Sequence, residues 1–442
     1  MDTVIAARAQ MGTSLAFHIV FAALGVGLPL LVFVAEGLWL RTRDRAYYDI
    51  ARTWAKGMAI LFAVGAVSGT ILSFEIGLLF PPFMRYAGGI IGLPFGLEGF
   101  AFFIEAIFIG LYLYGWDRLS PRAHWLAGLP IVISGPISAA FITLVNSWMQ
   151  MPTGFRVVNG RVTDVQPLVA MFALPWRTEV SHGTLAAYVF TGFAAAGVCA
   201  IGWLRGKRTP QVLAGLRVAM TVAAISVPCQ VVLGDVVARF VADHEPSKFA
   251  AMEVLHTTQR GAPLSIGGIP TANGDIAHAI EIPKALSLLV AFDPNAQVTG
   301  LDRIPLDDRP PIAATHLSFD AMVGSGSTLV LIALLWLAAV WRKRPLSRAL
   351  ALVLAVTPLL ALVALEAGWF VTEFGRQPWV ARGVLRTADA VTTSGHLGLR
   401  FFGFSIMYVV LATMCWWLLV RVGDAHEGAA DPPMAGRAAT AT

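Results

Sequence analysis

Apolar residues run through this chain in long blocks separated by short polar stretches. The blocks are too long and too evenly apolar for the one-sided stripe of a soluble helix. A helix needs about 20 apolar residues to cross a bilayer, because every backbone polar group must be satisfied within the segment. Nine blocks qualify, at 14–40, 55–79, 95–116, 124–147, 179–204, 213–238, 318–341, 349–371 and 396–421. They predict an all-α fold, a polytopic membrane helix bundle with nine transmembrane helices forming a single domain over 1–422. The first block is too long for a signal-peptide core and follows Asp2 and Arg8, so it reads as a retained span. The stretch 239–317 is a long connection rich in Pro, Gly, Asp and Lys, of a length usually tied to function. Residues 423–442 are rich in Ala, Pro, Gly and Thr without periodicity, which predicts a disordered tail.

Charge orients the bundle. Arg41, Arg43 and Arg45 with Arg52 and Lys56, then Arg205, Lys207 and Arg208, then Arg342, Lys343 and Arg344 each follow an odd-numbered block. Cytoplasmic loops collect Lys and Arg, so the N-terminus and the 239–317 loop are expected outside and the tail in the cytoplasm. Composition agrees with a membrane class: 57% of the 442 residues are hydrophobic and 13% charged, against about 45–50% and about 25% in soluble domains. That balance excludes an ordinary water-soluble enzyme. The 42 Gly and 25 Pro are spread along the chain, which removes collagen-like and low-complexity readings. The net charge of +5 lies in loops between apolar blocks and implies no nucleic-acid partner. Cys199, Cys229 and Cys415 sit in apolar blocks without CxxC or CxxCH spacing, so no cysteine chemistry is expected.

Ionisable residues inside spans are costly and tend to be functional. His18, Glu98, Glu105, His182 and Glu373 lie in or beside apolar sequence, and the expected topology puts all of them toward the outer side, with Met322 near the start of the seventh span. Two histidines, a thioether and several carboxylates at one depth suggest buried cofactors. A His/Met pair is an axial set for low-spin haem, and His182 with Met322 would make one. The plainer alternatives are a hydrogen bond to a neighbouring helix for each histidine and core packing for the methionine. Glu98 and Glu105, at i and i+7, share a helix face, as a proton relay would need; Glu366 and Glu373 repeat that spacing around Trp369. In the loop, Lys248 and Glu253 pair a cation with a base that could bind and deprotonate a hydroquinone headgroup, although most loop charges are simply solvated. Asp235, at the end of the sixth span, has similar standing.

Several strings together resemble subunit I of the cytochrome bd-type quinol oxidases. They are Arg8 ten residues before His18, Glu98-Gly-Phe-Ala-Phe-Phe-Ile-Glu105 leading to Gly115-Trp-Asp-Arg118, Asn146-Ser-Trp-Met-Gln-Met-Pro-Thr-Gly154, His182 followed by Ala186-Ala-Tyr188, Lys248 to Glu253, and Gly368-Trp-Phe-Val-Thr-Glu-Phe-Gly-Arg-Gln-Pro-Trp379. The likeness runs nearly end to end. It implies a terminal oxidase of the bacterial inner membrane that oxidises quinol outside and reduces dioxygen to water, building a proton gradient without pumping. It implies His182 and Met322 as ligands of a low-spin haem b, and His18 and Glu373 as iron ligands of two high-spin haems, one b and one d or both b-type. Trp369, Arg376 and Arg8 match residues around those haems, Glu98 and Glu105 acids that deliver protons, and Lys248 with Glu253 the quinol site. A second integral subunit is implied as partner, with a small single-helix subunit as a further one. Where many members carry Arg two residues before the methionine ligand, this chain has Asp320, and its loop resembles the short-loop, cyanide-insensitive branch.

Two other readings compete. A haem-b membrane electron carrier would use His182 and Met322 alone, with no oxygen-reducing site. A secondary transporter would place its carboxylates at midspan and show an internal repeat; neither is evident in the sequence.

Overall fold

A computed structural model describes residues 3–271, 276–395 and 397–428. Its helices are α1 Thr3–Thr42, α2 Arg45–Leu79, α3 Pro81–Gly115, α4 Pro121–Ala127, α5 Leu129–Gln150, α6 Pro167–Met171, α7 Trp176–Leu204 and α8 Pro210–His244. After them come α9 Pro246–Met252, α10 Ala285–Ala291, α11 Ile312–Trp341, α12 Arg348–Ala355, α13 Thr357–Arg376, α14 Thr387–Ala390 and α15 Leu397–Gly428. Among the described residues nine helical segments are long and apolar enough to span a bilayer, matching the nine blocks one for one.

Local chemistry sets many of the starts. Asp44, Ser120, Thr209 and Ser347 cap α2, α4, α8 and α12 through side-chain oxygens, and proline opens α3, α4 and α8, where its missing N–H costs nothing. The fourth and eighth spans are each two helices, meeting at Gly128 and at Val356. The helices also outrun the apolar blocks. α1 begins at Thr3 instead of 14, α3 at Pro81 instead of 95, and α11 at Ile312 instead of 318, because a helix continues past the length the hydrocarbon requires. In consequence Met322 lies nearly three turns into its helix. α15 reaches Gly428, past the boundary expected at 422, and the tail expectation otherwise falls outside the described residues.

The main core is shared by α1, α2, α7, α8, α11 and α13, with Leu31, Phe193, Met220 and Leu329 fully buried. Large apolar side chains such as Phe100, Phe103, Ile107 and Trp341 face outward, as lipid contact requires. The connection between α8 and α11 is packed: Phe249, Met252, Leu255, Leu286 and Val298 form a small core with Val241 and Val371, and Leu264–Ile266 pairs antiparallel with Ile280–Ile282.

Contacts sort the helix ends into two sets. Lys248 after α8 meets Gln150 at the end of α5, whose Asn146 meets Glu373 near the end of α13, while Arg382 reaches the carbonyl of His244. At the opposite end Glu36 of α1 binds His124 of α4, and Gln211 of α8 binds Thr53 of α2. This parity is what alternating crossings demand.

Candidate functional site

His18 projects from α1 against α2 so closely that a Cβ at Gly69 would lie 2.8 Å from its Cε1. Its Nδ1 is 3.0 Å from Ser68 Oγ, and Ser68 spends its own hydrogen on the carbonyl of Gly65 at 3.1 Å. The hydroxyl therefore accepts from Nδ1–H, which leaves the lone pair on Nε2. An outer partner of this kind fixes tautomer and ring orientation in metal-binding histidines.

Across the bundle, Glu373 of α13 accepts from Asn146 Nδ2 at 3.1 Å through one oxygen and from Arg376 Nη2 at 2.5 Å through the other. Each oxygen keeps a further lone pair. His18, Glu373, Glu98, Glu105, Trp369, Arg376 and Arg8 line one cavity of about 580 Å³, within the range of cofactor sites. Glu98 accepts from Ser138 Oγ at 3.2 Å. Seven of the residues singled out from sequence thus share a single space.

His182 and Met322 flank this cavity from neighbouring helices, where Gly183, Thr184 and Ala187 of α7 form part of its wall. His182 packs against Gly234 of α8, and Met322 Sδ lies 3.0 Å from the Cβ position of Gly368. The low-spin ligand candidates therefore come from α7 and α11, whose partners α8 and α13 offer glycines that leave room beside them.

Donor atoms decide whether haem fits. Among the described residues, His182 Nδ1, Trp369 Nε1, and Nε and Nη1 of Arg376 are buried without partners. Native interiors leave few polar atoms so. Buried donors of Trp369 and Arg376 on an apolar cavity that also holds the His18 imidazole and the Glu373 carboxylate fit planar apolar groups with acidic edges and an iron centre, and the His182 imidazole with the Met322 thioether beside that cavity fits a further one.

The loop residues divide. Lys248 is buried, with Nζ 2.6 Å from Glu245 Oε2 and 2.9 Å from Gln150 Oε1. A Cβ at Gly375 would collide with the Lys248 stem, so α9 rests directly on α13. Gln150 Nε2 donates to Asn146 Oδ1 at 3.3 Å, so an unbroken polar thread runs from Glu245 through Lys248, Gln150 and Asn146 to Glu373 and Arg376. Glu253 sits at the other end of α9, toward Asp320, which contacts His316 at 3.3 Å. Burial first, and the Asp320 charge second, push the Glu253 carboxyl up to about 8. Asp235 pairs with Arg239 on its own helix and joins none of this.

Sequence reading assigned no role to Asn146, Gln150, Glu245, Ser68 or His316. The signal for the first two was present, polar residues at i and i+4 ending an apolar run; Glu245 and His316 stand three and four residues from Lys248 and Asp320, while Ser68 touches the site only through tertiary packing.

Comparison with known proteins identifies the family and the fold. The family model for cytochrome bd terminal oxidase subunit I matches residues 6–427. The chain is 37% identical over 436 residues to a putative cytochrome bd menaquinol oxidase subunit I of Bacillus subtilis (strain 168), covering 96% of this chain and 98% of that one. It is 32% identical over 459 residues to the cytochrome bd ubiquinol oxidase subunit 1 of the same organism, covering 98% and 97%. The solved structure of bd oxidase from Geobacillus thermodenitrificans superposes with a TM-score of 0.92 at 38% identity, covering 96% of this chain and 99% of that one. The chain belongs to the cytochrome bd terminal oxidase subunit I family.

Proposed function

We propose that this chain is the catalytic subunit of a quinol:oxygen oxidoreductase in which the thread from Lys248 to Glu373 joins the quinol site to the oxygen site. Family membership makes it a multi-pass protein of the bacterial inner membrane, a terminal respiratory oxidase subunit that carries haem, uses quinol and works beside a second membrane subunit. The finer assignments are inferences from the residues. His182 and Met322 would hold a low-spin haem b, and His18 and Glu373 the irons of two high-spin haems, b with d or both b. A small single-helix subunit is a further expected partner. Bound haems supply electron transfer and the site where dioxygen is reduced.

The remaining chemistry belongs to the side chains. Lys248, with its ammonium aligned by Glu245 and Gln150, orients a hydroquinone oxygen. Glu253 takes the hydroxyl proton as general base and releases it on the side of the α8–α11 connection, which the charge pattern puts outside. Trp369 and Arg376, whose nitrogens are left unpartnered, would help hold the acidic edges of the cofactors. Glu98 and Glu105 hand protons to the cavity. Protons consumed in water formation come from the cytoplasm while quinol protons leave outside, so charge is separated without a pump.

The single observation that carries this reading is one cavity lined by both His18 and Glu373 and joined by hydrogen bonds to Lys248. Lys248→Ala is expected to lower quinol oxidation at least tenfold with haem content unchanged; steady-state kinetics identical to the parent would remove Lys248 from the site.

A further inference from the structure

On the face of α1 turned away from the cavity, α1, α2 and α15 enclose a second polar group. Gln10, Ser14, Glu75 and Tyr408 are each at most 3% exposed. Gln10 Nε2 donates to Glu75 Oε1 at 2.8 Å, and that is the cluster's one closed hydrogen bond among the described residues. Glu75 Oε2, Gln10 Oε1, Ser14 Oγ and the Tyr408 hydroxyl are left without partners. Ser14 lies close enough to interact with both the Glu75 carboxyl and the Tyr408 phenol, yet its hydroxyl reaches neither with full hydrogen-bond geometry. Several buried polar atoms left unpaired around one point, with two to four partners on offer, are the setting in which water is held. No Lys or Arg among the described residues pairs with Glu75, so in this apolar surrounding its carboxyl needs a proton or a nearby positive charge.

The cluster adjoins His18. Ser14 precedes it by one turn of α1, roughly 6 Å of rise, and Ser68, the partner of His18, lies two turns before Glu75 on α2. We propose that these four residues form a water-bearing proton site in which Glu75 gains a proton when the haem held by His18 is reduced, and returns it on oxidation. The inference rests on the assignment of His18 as a haem ligand. The electron comes from quinol. The proton reaches Glu75 Oε2 from the adjoining water, forming an O–H bond there, and the water is re-protonated from the aqueous phase, so reduction leaves the buried charge unchanged. Of the titratable groups on the three enclosing helices, Tyr408 on α15 belongs to the cluster itself and His18 lies one turn along α1 from Ser14.

Redox-difference infrared spectroscopy of the purified two-subunit oxidase, in light and heavy water, tests this. A protonated-carboxyl stretch is expected to grow on reduction, shift in heavy water, vanish in Glu75→Gln and move in Ser14→Ala and Tyr408→Phe. A difference spectrum unchanged by Glu75→Gln, or lacking the band in the parent, overturns the proposal. Should Glu75→Gln fail to assemble, the other two variants decide: no band displacement in either overturns it. The His18 assignment fails separately, through a high-spin visible signal that persists in His18→Ala, whereas Glu75→Gln is expected to keep that signal.

Discussion

Glu253 carries a charge problem that the protein solves by holding a proton. Burial raises its carboxyl from 4.5 to about 8, so near neutrality the acid is mostly protonated and a general base forms only as pH rises. The stability sign follows: the folded state binds this proton more tightly than the unfolded one, so the contribution is whole below pH 4.5 and is lost as pH climbs through 8. Quinol oxidation is expected to rise with pH toward 8, and Glu253→Gln to flatten that limb; a pH-rate profile unaltered by the substitution would remove Glu253 as base. Lys248 and Glu245 raise a related issue, since both are buried and ion-paired. Removing one partner of such a pair costs about 3–5 kcal/mol, so Glu245→Ala should lower the unfolding temperature and weaken quinol oxidation together. At this scale the sequence was legible where a charge stood in an apolar block, as for His18, Glu98 and Glu373. It was silent on Ser68, because a single hydroxyl in a helix gains meaning only from what lies opposite.

Among elements, close approach is the governing feature. α9 can lie on α13 because Gly375 has no side chain where the Lys248 stem passes, and α2 can meet α1 at His18 because Gly69 has none. Overpacking a tight contact costs about 1–3 kcal/mol. Gly375→Ala is therefore expected to displace Lys248 and raise KM for quinol with haem spectra intact, while Gly69→Ala should disturb the His18 signal and leave quinol binding alone. The reverse pattern, read from KM and visible spectra, would contradict these placements. The nine spans were legible because hydrocarbon thickness fixes their length. Their ends were not, since α1 and α3 continue for three turns or more through residues that hydropathy does not mark.

For the whole molecule, the two sets of helix ends divide the chemistry from the basic loops. His18, His182, Asn146, Lys248, Met322 and Glu373 lie toward one end, and Arg41, Arg205 and Arg342 toward the other. With the basic end in the cytoplasm, a reporter fused within 205–212 should give a cytoplasmic signal, and a periplasmic one would invert the account of charge separation. The central claim is that one cavity holds the high-spin centres while His182 and Met322 hold a separate low-spin haem. Reduced-minus-oxidised spectra of the purified oxidase, with and without carbon monoxide, test it most directly. A low-spin haem indifferent to carbon monoxide, beside high-spin haem that binds it, is expected. A lone haem without any response would contradict the account and leave an electron carrier in its place.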